Sequence, residues 1–218
     1  MNGVIDIGYP YQAIGENLHF AVEGGDAVGK NTQTKKMCER LGATMFSSPN
    51  YDSPTGQEIA RTWDNMLVRQ ALFAANRYER ARAVLAALKR GSVGHDRYYL
   101  SSVVYGKVEG LDEDWLWEVH ALLPQPRIHI LLDAPVDEGF KRRPERRDAN
   151  ERNRDKLQLV RREYLRVFRE AGPARGLTTT LASGEAVPVH FVIVNGEGTV
   201  DEVHNRMLDA IGSALAVS

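Results

Sequence analysis

The chain has 218 residues, a formal net charge of −1, 43% hydrophobic residues and 26% charged ones. That is enough for one well-cored globular domain, and the near-neutral balance gives no general attraction to nucleic acid or to an anionic membrane. The single cysteine, Cys38, excludes an internal disulfide framework and suits a reducing cytoplasm, and no apolar run approaches the roughly 20 residues of a membrane span.

Residues 1–17 hold no basic stretch ahead of an apolar core, so they read as a surface extension rather than a signal peptide. An apolar strand is expected at 18–23. It runs straight into Glu23-Gly24-Gly25-Asp26-Ala27-Val28-Gly29-Lys30-Asn31-Thr32. Gly24, Gly29 and Lys30 fit the phosphate-cradling pattern G-x-x-x-x-G-K, in which small residues let backbone N–H groups curl round an anion at a helix N-terminus. The hydroxyl residue that usually follows the lysine is here Asn31, with Thr32 behind it. A helix at 30–41 follows, with Gly42 as its stop, and then a second strand at 43–47.

The longest helix is expected at 66–90, where Leu67, Ala71, Phe73, Ala74, Tyr78, Val84, Leu85 and Leu88 recur at threes and fours. A third strand, 92–96, is interrupted by Gly94 and leads into Asp96-Arg97-Tyr98. A carboxylate at the end of that strand can hold Mg²⁺, or it can simply cap the next helix; the neighbouring guanidinium can clamp a phosphate. Further helices are expected at 112–123, 152–170 and 200–215, strands at 127–133 and 188–194, and a loop at 171–187. Strands alternating with helices predict an α/β fold with a parallel sheet. No repeat or domain boundary interrupts it. A basic run, Lys141-Arg142-Arg143-Pro144-Glu145-Arg146-Arg147, stands within 141–155, where a lid could close over a transferring phosphoryl group.

With these residues in view, the chain resembles the thymidylate kinases, phosphate-loop enzymes that phosphorylate nucleoside monophosphates. The loop matches the family's E-G-x-D-x-x-G-K-x-T-Q through Gln33. Leu72–Arg77 matches L-F-x-A-[DN]-R, and Asp96–Tyr105 matches D-R-Y-x-x-S-x-x-A-Y apart from Val104. The resemblance implies a three-layer phosphate-loop fold with a five-stranded parallel sheet and a small basic lid, in a single kinase domain. It implies ATP as donor, Mg²⁺, and a pyrimidine deoxynucleotide, dTMP above all, as acceptor.

Residue by residue, the resemblance assigns Gly24, Gly25, Asp26, Ala27, Val28, Gly29, Lys30, Asn31, Thr32 and Asn195 to ATP, and Asp96 with Asn31 to the metal. Asp26, Pro49, Tyr51, Phe73, Arg77, Arg97, Ser102 and Tyr105 go to the acceptor, with Phe73 stacking on the base and Arg77 bonding its carbonyl. Lys30, Asp26, Arg97 and the lid arginines Arg143, Arg146 and Arg147 carry the chemistry. It also implies a cytoplasmic homodimer built on the long helices. Ser48 and Asn50 stand where the family carries Phe and Arg, so a kinase for another or base-modified deoxynucleotide is the nearest rival. A nucleotide-binding protein without turnover is the more distant one.

Overall fold

The computed structural model describes residues 17–62, 64–142, 153–181 and 184–216. Five strands form one parallel sheet: β1 (His19–Glu23), β2 (Thr44–Ser47), β3 (Val93–Asp96), β4 (Ile128–Asp133) and β7 (His190–Asn195), in the order β2-β3-β1-β4-β7. All five strands expected from sequence are present within two residues of their predicted ends. In β3, a Cβ on Gly94 would come within 2.6 Å of Cys38 Sγ, so the glycine admits close packing and does not break the strand.

The alternation of side chains along each strand makes the three layers. Phe20, Val22, Ile128, Ile130 and Leu132 face one way, against Met37 of α1 (Lys30–Leu41) and Met207 of α8 (Val200–Ala216). Ala21 and Leu131 face the other, against α4 (Tyr99–Val108), α5 (Glu113–Glu118) and α7 (Arg154–Arg166) through Leu100, Val103, Leu116, Val160 and Tyr164. The long helix α3 (Met66–Leu88) covers the β2–β3 side. The chain reverses after β1, β3 and β4 at one sheet edge, so the turns at Gly24, Arg97 and Ala134 converge there.

One short helix, α6 (Val136–Arg142), leads from β4 into the basic run. Other elements lie outside the expected pattern. α2 (Pro54–Arg61) is capped by Ser53, whose side chain accepts from Gly56 N at 3.2 Å. The segment 171–187, expected as loop, contains β5 (Thr178–Thr180) and most of β6 (Ala186–Pro188), an antiparallel pair. The helix expected over 112–123 ends at Glu118. Beyond it the bonds tighten to i→i−3, as in His120 N to Trp117 O and Leu123 N to His120 O, both 3.1 Å. In α7 the helix continues as a π-turn, Val167–Ala171.

The second face of the sheet carries a group of buried histidines. His19 and His95 lie with ring centroids 5.1 Å apart, and His129 stacks on Phe191 at 5.4 Å. Burial holds His19, His120 and His129 down to about 3, and His95 well below the usual imidazole value. In the unfolded chain these groups bind protons near pH 6.5, so falling pH favours unfolding by up to roughly 1.4 kcal/mol per pH unit for each histidine. Buried Glu23, held above the usual carboxylate value, opposes this only near and above its unfolded value. Urea midpoints followed by circular dichroism should therefore drop steeply between pH 7.5 and pH 5. Equal midpoints at the two values would contradict the burial of neutral imidazoles.

Candidate active site

The phosphate loop joins β1 to α1 and is shaped by its own backbone. Gly24 has φ +143°, and a Cβ there would sit 2.6 Å from Leu132 O of the neighbouring strand. Gly29 and Ala27 also take positive φ, 98° and 62°. α1 begins with no side chain capping its N-terminus, so its first N–H groups and dipole are left for an anion. Lys30, 6% exposed, turns back so that Nζ donates to Gly25 O, inside the loop. Burial, with Arg97 nearby, lowers it to about 8.

Asp96 ends β3 beside this loop, and Asn31 Nδ2 donates to Asp96 Oδ2 at 3.0 Å. Among the described residues no group of three His, Cys, Asp or Glu side chains is placed to chelate a metal. A magnesium ion held mostly by phosphates and water needs only one or two carboxylates. The Asp96 carboxylate and the Asn31 amide oxygen are hard donors of that kind, so the residues present fit it.

Arg97 is the next residue, in the left-handed region at φ 63°, which is strained for a non-glycine and concentrates at functional sites. Its Nη2 donates to Asp26 Oδ1, and its Nη1 lies 3.3 Å from Gly24 O and 3.2 Å from Ser101 Oγ. Tyr105 OH donates to the other Asp26 oxygen at 2.9 Å. The loop and the helix after β3 are thereby locked together. Beneath them Glu23, fully buried, accepts from Tyr98 N at 2.9 Å and Ser101 Oγ at 2.6 Å.

From this ion pair a cavity of ≈ 200 Å³ opens between α3, α4 and the loop after β2. Asp26, Pro49, Tyr51, Phe73, Arg77, Arg97, Ser102 and Tyr105 all line it, so every residue assigned to the acceptor from sequence meets in one space. Phe73 is half-buried, unlike its neighbour Ala74 in the core. Arg77 is more engaged than the sequence suggested. Its Nη1 approaches Ser102 Oγ at 2.9 Å, Phe73 O at 3.2 Å and His120 Nε2 at 3.2 Å, and its Nη2 donates to Tyr98 O at 3.0 Å. His120 Nδ1 lies 2.8 Å from Leu116 O, which fixes the proton there and leaves Nε2 to accept.

Several participants escaped the sequence reading. Asn76, in the L-F-x-A-[DN]-R segment, pins the loop after β2: its Oδ1 accepts from Asn50 N at 2.8 Å and its Nδ2 donates to Asn50 O at 3.1 Å and Ser53 Oγ at 2.9 Å. Asn50 therefore serves through its backbone and does not line the cavity. Arg69 and Glu109, paired at 2.5 Å, close the far end, with Lys156 on the other Glu109 oxygen at 2.8 Å. Arg142 ties the phosphate loop to the loop after β7, donating to Val28 O at 3.1 Å and Gly196 O at 2.9 Å. Asn195, at the end of β7, accepts from Glu197 N at 2.9 Å and shapes that second loop. Arg143, Arg146 and Arg147 lie outside the described residues, as does most of 141–155.

Known proteins are similar to this chain in sequence and in fold. Residues 22–206 match the family model described as thymidylate kinase. A probable thymidylate kinase of Sulfurisphaera tokodaii is 33% identical over 205 residues, covering 91% of this chain and 98% of its own. One from Methanococcus maripaludis is 29% identical over 203 residues, covering 89% and 95%. The solved thymidylate kinase of Candida albicans superposes with a TM-score of 0.71 at 20% identity, over 90% of this chain and 92% of that one, and so shares its fold. With the match running from the phosphate loop into the last helix, the chain belongs to the thymidylate kinase family.

Proposed function

We propose that this chain transfers the γ-phosphoryl group of ATP to the 5′-phosphate of dTMP, giving dTDP and ADP. The observation that carries the reading is a single one. Arg97 and Asp26 form a shared wall, with the phosphate loop on one side and an aromatic-lined cavity of ≈ 200 Å³ on the other. Two phosphates brought to that wall meet end to end.

The acceptor phosphate is anionic at neutral pH and needs no strong general base, so the task is alignment and charge stabilisation. Amides of Gly24–Thr32 and the α1 dipole hold the donor phosphates, and Lys30 neutralises charge that grows on the transferring group. Arg97, its fork held by Asp26, Gly24 O and Ser101 Oγ, presents its positive charge to the acceptor phosphate. Phe73 packs on the base, and Arg77, Ser102 and Tyr105 fix its edge and sugar. Asp96 and Asn31 would hold Mg²⁺ beside the phosphate loop, where it would supply positive charge against the donor phosphates. We further propose that the three lid arginines contribute positive charge to the transfer, and that the chain pairs as a homodimer through α3, where Leu67 and Val68 are exposed. Among the described residues no helix is long and apolar enough to cross a membrane, and we place the enzyme in the cytoplasm.

An acceptor panel of dTMP, dUMP, dCMP, dAMP and dGMP with ATP and Mg²⁺, read by ADP release, tests this. dTMP should lead every other base by at least tenfold. A different leading acceptor would move the assignment to another deoxynucleotide. ATP binding with no ADP release for any acceptor would make the chain a nucleotide-binding protein.

A further inference from the structure

Gln70 stands on α3 three residues before Phe73 and seven before Arg77, so the three share one helix face, and all line the acceptor cavity. The side chain is 1% exposed, yet its Oε1 has no hydrogen-bond donor among the described residues. Buried side-chain amides are nearly always satisfied, and an orphaned one destabilises a fold where an apolar residue of equal size would not. The neighbouring polar groups are in the same state: Arg77 Nε and Ser48 Oγ, both in residues of this wall, also lack partners. The wall therefore holds an unused acceptor and an unused donor, while Phe73 offers a flat apolar surface beside them.

We propose that Gln70 is a specificity-determining residue for the acceptor base, its Oε1 taking the imide N–H of thymine or uracil; this rests on the acceptor reading of the cavity. An arginine can only donate, so Arg77 demands a carbonyl from the base. Among the pyrimidines, a ring that offers a carbonyl to Arg77 and an adjacent N–H to Gln70 is the imide of thymine or uracil. Cytosine reverses that edge: its ring nitrogen carries no hydrogen, and the adjacent amino group would face the guanidinium. The glutamine amide could turn over to suit cytosine, but the guanidinium could not. A site built on hydrogen bonds rejects a mismatched edge strongly, because its own buried groups stay unpaired.

The test compares wild type with Gln70→Met, which keeps volume and removes the amide. Calorimetric binding of dTMP and dCMP is measured alongside ADP release. The loss should fall mainly on dTMP affinity, by about tenfold to a hundredfold, and the preference for dTMP over dCMP should shrink accordingly. The melting temperature should hold or rise, the opposite of what a merely structural glutamine gives. Wild type should also reject N3-methyl-dTMP, which lacks the imide hydrogen; this arm needs no variant. An unchanged dTMP-to-dCMP ratio in Gln70→Met, or equal binding of dTMP and its N3-methyl form by wild type, overturns the role of Gln70 alone. Absence of dTMP binding by wild type overturns the acceptor reading with it.

Discussion

Replacing Lys30 with alanine should lower turnover by roughly a thousandfold or more while dTMP still binds. The ammonium is nearly enclosed, and its contact with Gly25 O holds it inside the loop before any nucleotide arrives. A positive charge kept in so dry a place acts through a low effective dielectric, where it is worth far more than in water. The same enclosure brings Lys30 down to about 8, with desolvation the larger cause and Arg97 adding to it. The lysine is charged below that value and loses its proton above it. In the free enzyme, kcat/KM for ATP should therefore fall as pH rises through about 8. Bound phosphates favour the charged form, so kcat at saturating ATP should stay flat to higher pH. Stopped assays of ADP release across pH 6.5–9.5, with calorimetry of dTMP binding to Lys30→Ala, check both parts. If the alanine enzyme turned over within tenfold of wild type, the loop would not be the donor site.

What the sequence made legible was whatever depends on neighbours in the chain. β1, β4 and β7 announce themselves because strands covered on both faces read as apolar runs. The phosphate loop does so because its glycines must sit at fixed offsets from Lys30. Gly94, within the expected third strand, is less readable for the opposite reason: its meaning lies in Phe20 and Cys38, which pack where its side chain would be. The shortening of α5 likewise follows from tertiary demand, since the tight turns after Glu118 bring His120 under Arg77. In the site, the residues assigned to the acceptor were reached through resemblance, and the structure gathers them in one cavity. Composition and periodicity could not have joined Asp26 to Arg97, or Gln70 to Ser48, across such separations in the chain. Asn76 had a visible place in a motif, but its work on the loop at Asn50 shows only in three dimensions.

Arg97→Lys should cost nearly as much activity as Arg97→Ala, about a hundredfold or more in kcat/KM for dTMP. The native guanidinium spends one nitrogen on Asp26 and another on Gly24 O and Ser101 Oγ, a fork that a single ammonium cannot reproduce. Its left-handed backbone directs the side chain across the loop, so shortening or swapping it leaves Asp26 with Tyr105 OH but without its nearest cation. Asp26→Asn should fail for the complementary reason: the amide no longer holds the guanidinium in charge-assisted register. Groups that act as one unit do not lose activity additively. The double variant Asp26→Asn/Arg97→Ala should therefore be scarcely worse than the poorer single variant in kcat/KM for dTMP. Additive losses would instead mean that Asp26 and Arg97 serve different phosphates independently, and the wall between donor and acceptor would have to be drawn through some other pair.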